Sequence, residues 1–214
     1  MLDTIVRFFQ QGGPFMYPIA LVLLLGLAIS IERFVYLARV RNRNRRAFDQ
    51  GILPLMQKGD YRGALKAANH SAAAIGTMIS AGLGRLLNNH SREDIEYALE
   101  EGLMEVLPRL EKRTQYLATL ANVSTLLGLL GTIIGLIAAF TAVANADPAE
   151  KASLLSQSIS VAMNTTAFGL MSAIPLLLFH AWLQTRTNEI VDSFEMAGVK
   201  FLNIVAEQPA ARTE

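Results

Sequence analysis

The 214-residue chain has no cysteine, which excludes disulfides, thiolate metal sites and a cysteine nucleophile. Charge is scarce as well. Asp, Glu, Lys and Arg make up 17% of the residues, against about a quarter in an ordinary soluble domain. The net charge of +1 leaves no basic footprint for nucleic acid, and no nucleic-acid partner is expected. No metal-ligand spacing, GxSxG elbow, P-loop or acid pair appears, so neither an enzyme nor a cofactor nor a metal site is expected. Strand-period patterning and internal repeats are also missing.

What fills the chain instead is apolar: 52% hydrophobic residues and a mean hydropathy of +0.33. These residues cluster in three runs. Tyr17 to Leu37 is uncharged until Glu32 and Arg33. Leu117 to Ala146 carries no charge, and in Ala152 to Leu183 the only ionisable group is His180. A bilayer core of ~30 Å takes roughly 20 helical residues, so each run is long enough to span. The flanks set the orientation. Arg33, Arg39, Arg41, Arg43, Arg45 and Arg46 follow the first run, Arg109, Lys112 and Arg113 precede the second, and Arg186 follows the third, whereas NADPAEKAS between the last two has one lysine.

The expectation is an all-α membrane protein with three transmembrane helices and long helices extending into the cytoplasm. Its parts are an outer N-terminal interfacial segment over 1–16, spans at 17–38, 116–144 and 154–183, and a cytoplasmic helical domain over 39–115. An outer loop covers 145–153, and a cytoplasmic helix and tail cover 184–214. The N-terminus is then periplasmic and the C-terminus cytoplasmic. Within 39–115, helical stripes recur at Phe48, Ile52 and Met56, at Ile75, Ile79, Leu83 and Leu86, and at Ile95, Leu99, Leu103, Val106 and Leu110. Lys58-Gly59 marks a turn, and Ser91 with Asp94 a capping box. No strong stop separates that last stripe from the second span. A single helix over about 92–144 is therefore expected, with a kink at Pro108.

The second and third spans have an unusual face. Thr125, Gly128, Thr132, Gly135 and Ala139 recur every three to four residues, so they lie on one side of a helix. Ser158, Ala162, Thr165 or Thr166, Gly169, and Ser172 or Ala173 repeat the pattern in the third span, with Asn164 beside it. Close helix packing explains such faces; so does a shared polar cavity with Thr132 and Thr166 at its centre. Neither span contains Asp, Glu, Lys or Arg. A proton-coupled machine needs a titratable group near mid-membrane, so any carboxylate must come from a partner. Glu32 and Arg33, at the inner end of the first span, are expected to anchor at the membrane interface or to order contacts between subunits.

At these residues the sequence resembles a family. LLGLLGTIIGLIAAF and AMNTTAFGLMSAIP are similar to the two membrane signatures of the MotA/TolQ/ExbB proton-channel family. GGPFMYPIA, IERFVYL and GDYRGAL resemble further motifs of its ExbB/TolQ branch. The resemblance implies a subunit of an inner-membrane motor, assembled as a ring of usually five copies. The ring surrounds a single-span ExbD/TolR-like partner whose helix carries the missing aspartate, and it passes energy to a TonB- or TolA-like transducer. On that reading Thr132 and Thr166 carry the ion path, joined by Thr165, Thr125 and Asn164. Gly128, Gly135, Ala139, Ala162 and Gly169 then face the partner helix, and lipid surrounds the ring. Two positions depart from the branch: a glutamate five residues before the third-span threonine is replaced by Val161, and a proline before LLGL by Thr125. Hydroxyl oxygens also coordinate Na⁺, so a sodium-driven motor and a passive membrane scaffold are the alternatives.

Overall fold

The computed structural model describes residues 8–9, 12–144 and 146–207. Every described element is helical. Helix α1 runs Met16–Arg46 and continues through a π-helical turn, Ala47–Ile52, into the short α2, Leu53–Gln57. Helices α3 (Tyr61–His70), α4 (Ala74–Leu87) and α5 (Arg92–Glu111) follow. Two long helices close the chain, α6 (Thr114–Ala144) and α7 (Lys151–Glu207). Among the described residues three helical stretches are long and apolar enough to cross a membrane, the ones that contain α1, α6 and α7.

The chain divides into two compact units. The first comprises Met1–Glu32 and Arg113–Trp182, the second Arg33–Lys112 and Leu183–Glu214. In the second unit the apolar stripes turn inward: Ile52, Met56, Ile79, Leu83, Ile95, Leu110, Phe194 and Phe201 are fully buried. Two glycines let its helices touch. A Cβ at Gly102 would stand 2.7 Å from the Met78 Cα, and one at Gly82 2.6 Å from the Leu99 side chain. Gly59, with φ of +75°, makes the turn into α3, and the Asp60 carboxylate accepts from Gly63 N–H at 2.8 Å to cap it. Ser91 caps α5 through the reciprocal pair of bonds with Asp94.

The expected uninterrupted helix over 92–144 is not observed. α5 ends at Glu111, and Arg113 takes a left-handed φ of +66° before α6 begins at Thr114. Partners distant in sequence stabilise the break. In the second unit the Leu110 carbonyl, left without an intrahelical N–H near a helix end, accepts from the buried Arg33 guanidinium. In the first unit Arg113 forms a two-pronged ion pair with Glu32, at 2.7 and 2.8 Å. Arg33 itself turns into the protein. It is 3% exposed, serves as a helix C-cap, and lies 4.7 Å over the Tyr36 ring.

Candidate functional site: a hydroxyl pair in a glycine-lined helix interface

The first unit inverts the usual surface. Leu126, Leu129, Leu130, Ile133 and Ile137 of α6 are exposed, as are Leu170, Ile174, Leu177 and Leu178 of α7. The buried side is rich in small residues, although these two helices also fully bury Leu117 and Leu176 in this unit. Gly128 lies against Gly169: a Cβ on Gly128 would stand 3.2 Å from the Gly169 Cα and 3.3 Å from the Thr166 Cα. A Cβ on Gly135 would meet the Ala162 Cβ at 2.8 Å, and one on Gly169 the Ser124 carbonyl oxygen at 2.8 Å. Ala139 and Ala162 are buried too.

Gly128, Gly135, Ala162 and Gly169, expected to face a partner's helix, therefore face one another across α6 and α7 of the same chain. The cause is geometric. Without a Cβ on one side, backbones approach closely enough for dispersion and hydroxyl bonds to hold an apolar helix pair that lipid would not drive together.

The five polar residues separate into different environments. Thr132 and Thr166 meet: their hydroxyls hydrogen-bond to each other, and both oxygens lie within hydrogen-bond distance of the Gly128 carbonyl, at 3.2 and 2.9 Å, so that the hydroxyl accepting the mutual bond donates to it. Both side chains are half-buried. Thr165 is 2% exposed, and its hydroxyl donates to the Gly12 carbonyl at 2.5 Å and the Val161 carbonyl at 2.9 Å. That geometry makes Thr165 a packing contact for the N-terminal segment rather than a neighbour of the hydroxyl pair. Thr125, also half-buried, bonds back to the Ala121 carbonyl of its own helix at 3.2 Å. Asn164 is half-buried on α7.

Ser124 and Gly131 are additions that sequence reading passed over. The Ser124 hydroxyl is fully buried and donates across to the Gly169 carbonyl at 3.2 Å. Gly131 is buried beside the Thr165 side chain. Ser124 falls seven residues before Gly131, two helical turns, so the signal was present as a second small stripe next to the one that was read. The N-terminal segment packs here as well. Phe8 and Phe9 stand edge-on to Phe168, with ring centroids 6.3 and 5.3 Å away, and Gly13 turns the chain with φ of +74°. The rest of the expected interfacial helix falls on residues 1–7, 10 and 11, which lie outside the described residues.

The chemistry of the pair follows from counting protons. Two hydroxyls bring two hydrogens and four lone pairs. Bonds to the Gly128 carbonyl and between the hydroxyls use the hydrogens and leave most lone pairs free. The pair is therefore an acceptor. It suits water, a cation or a protonated acid, and it repels a carboxylate.

Comparison with known proteins places the chain in a family. The profile of the MotA/TolQ/ExbB proton channel family matches residues 70–196. An ExbB homologue of Methanothermobacter thermautotrophicus, named as a biopolymer transport protein, is 28% identical over 90% of this chain and 67% of its own length. The biopolymer transport protein ExbB-like 3 of Synechocystis sp. is 30% identical over 79% of this chain and 80% of its own. TolQ of the Haemophilus influenzae Tol-Pal system is 32% identical over 52% of this chain and 48% of its own.

Proposed function

We propose, on the premise that the chain belongs to the MotA/TolQ/ExbB proton channel family, that it is the ion-path subunit of an inner-membrane motor. Several copies, five in the simplest ring, surround an ExbD/TolR-like single-span partner. Proton-motive force drives movement between ring and partner, and a TonB- or TolA-like transducer carries the work to the envelope. The N-terminus lies on the periplasmic side and the second unit in the cytoplasm, as the arginine flanks require.

The observation that carries this reading is the half-buried hydroxyl pair of Thr132 and Thr166 on the Gly128 carbonyl. A partner aspartate crossing an apolar interior as a charged carboxylate faces a large desolvation cost. Protonated, it becomes a hydrogen-bond donor, and the hydroxyl pair offers acceptors. The pair thus favours the protonated partner acid and disfavours the ionised one, which ties proton uptake and release to position along the helix. Since the glycine faces are closed by α6 and α7 themselves, the partner helix approaches the edge where both threonines remain half-exposed. A proton crossing 100 mV releases roughly 2.3 kcal/mol, several times the energy of the weak hydroxyl bonds that it makes and breaks.

The test is reconstitution of the chain with its single-span partner in liposomes. Proton flux in response to an imposed potential is expected, and flux that follows a sodium gradient at constant pH would turn the reading to the sodium-driven alternative. A complex that assembles and passes neither ion would leave the passive scaffold.

A further inference from the structure

The second unit carries two complementary surfaces that the proposed ion path does not use. The first is a groove of about 220 Å³ between α5 and the end of α7, lined on its apolar side by Leu99, Leu103 and Val199. Val199 is 53% exposed and Met196, one turn earlier, 57%, in a unit that otherwise buries its bulk. Glu96, Glu100 and Glu195 line the same groove. All three are exposed, and none makes an ion pair among the described residues. No lysine or arginine among the described residues lines the groove, so its occupant is basic with an apolar edge.

The end of α1 has that character. Arg39, Arg43 and Arg46 recur at three- and four-residue spacing and so share a helix face, with half-exposed Tyr36 and Val40 along its edge. The three arginines are exposed and make no ion pair among the described residues, whereas Arg41 pairs with Glu189 and Arg45 with Asp49. No described α1 residue lines the groove, so the two surfaces are separate. They nevertheless stand at one height. α1 and α5 both leave the bond between the Arg33 guanidinium and the Leu110 carbonyl and run side by side, Val40 and Val106 lining one cavity. At ~1.5 Å per residue, Arg39 to Arg46 lie about 9–20 Å along α1 from that bond, and Leu103 to Glu96 about 10–21 Å along α5. The Arg41–Glu189 pair ties α7 to α1; Glu195 lies about 9 Å beyond it on α7 and Arg46 about 8 Å beyond it on α1. Rotation about an axis parallel to these helices keeps height. It therefore brings the arginine face of one copy to the groove of the next, a contact between unlike patches of the kind that closes a ring.

We propose, resting on the ring assembly above, that the acidic groove of each copy receives the Arg39, Arg43 and Arg46 face of α1 from a second copy of this chain. Tyr36 and Val40 then cover the apolar side of the groove and remove it from water. The opposed charges select the register of one copy against the next.

The chain has no cysteine, so introduced cysteines report alone. Arg46→Cys and Glu195→Cys are placed in two differently tagged full-length copies, co-expressed in membranes and oxidised, and native mass spectrometry counts the copies in the purified assembly. A disulfide-linked dimer carrying both tags is expected, and neither variant alone should give one. Adding Arg43→Glu to the first copy, or Glu100→Arg to the second, should lower the yield of that dimer about tenfold or more, because like charges then face one another. Both reversals together should restore it. All four positions are exposed, so the substitutions leave the core of the unit intact. A mixed dimer whose yield follows the charges supports the proposal. Copies that assemble while both cysteines stay open to a maleimide overturn it and leave the ring standing, with the groove free for another partner and the arginines for lipid headgroups. A yield that ignores the reversals overturns it as well, and monomers alone would overturn the ring and the proposal together.

Discussion

The two units are built from the same element, the long helix, with opposite surfaces. In the first, most leucines and isoleucines point outward, Ile19, Leu117 and Leu176 being buried exceptions, while Ser124, Thr165 and Ser172 are buried where glycine and alanine let the helices meet. In the second, Leu83, Ile95, Leu110, Phe194 and Phe201 are buried, and the charged side chains, Arg33 apart, lie toward the surface. Each unit excludes its own surroundings. Lipid supplies no hydrophobic drive, so the first unit relies on close backbone contact. Water supplies that drive, so the second buries bulk. Glycine serves both, at Gly128 against Gly169 and at Gly102 against Met78, because backbone approach requires the same missing Cβ in either medium.

That contrast can be broken most severely with leucine. Leu83→Ala, at a fully buried position, should cost about 2–5 kcal/mol, while Leu126→Ala, 64% exposed, should stay within about 0.5 kcal/mol. Thermal unfolding in detergent checks the pair, and equal losses would mean that the first unit has an ordinary core. Polarity reverses the ranking. Leu126→Arg should impair membrane insertion by about 2.5–3.5 kcal/mol, whereas Tyr97→Arg in the second unit, also exposed, should change stability by about 0.5 kcal/mol at most; an insertion assay beside a melt reads both.

The glycines provide the case in which the units should agree. Gly128→Val and Gly102→Val should each cost about 1–3 kcal/mol, since both Cβ positions abut backbone. Helix dissociation at one site but not the other would break the parallel. At the dipeptide Glu32-Arg33 the difference returns within two residues. Arg33→Gln leaves the Leu110 carbonyl without its guanidinium donor, at about 1–3 kcal/mol. Glu32→Gln removes an ion pair whose side chains are 47% and 49% exposed, worth at most about 1 kcal/mol. Denaturant titration of the two variants separates them.

The smallest effect concerns pH. Hydrogen bonds from Ser91 hold the Asp94 carboxyl below the usual aspartate range, with a lesser contribution from His90. A depressed folded value means that the cap contributes above the unfolded value and is lost as pH falls through the folded one. Amide exchange in the first turn of α5 should therefore quicken only on the acid side of the ordinary carboxylate range. In Ser91→Ala that acid step should shrink.

These regions differ also in how legible they were. The helical character, the three apolar stretches, the Gly59 turn and the Ser91 cap are local matters, encoded by residues within a few positions of one another. The break at Lys112-Arg113 is not. No glycine or proline marks it, and the groups that stabilise it, Arg33 and Glu32, lie 77 and 81 residues from their partners. The small faces were legible as faces, because 3.6-residue periodicity determines which side chains align. What covers a face is tertiary information, so Gly128 and Gly169 could be placed on stripes but not against each other. The same limit separates Thr166, which reaches Thr132, from its neighbour Thr165, which turns to Gly12.

The central claim is that the Thr132 and Thr166 hydroxyls pass ions and contribute little to holding the helices together. Its most direct test measures two quantities on Thr132→Val, Thr166→Val and the double variant: recovery of the complex in detergent, and work that depends on proton-motive force. Membrane hydroxyl bonds average about 0.6 kcal/mol, so recovery should stay near wild type while coupled work falls sharply, and Thr→Ser at either site should restore it. Full activity in the double variant, or a complex that falls apart in step with the lost activity, would contradict the account and make the pair a packing device.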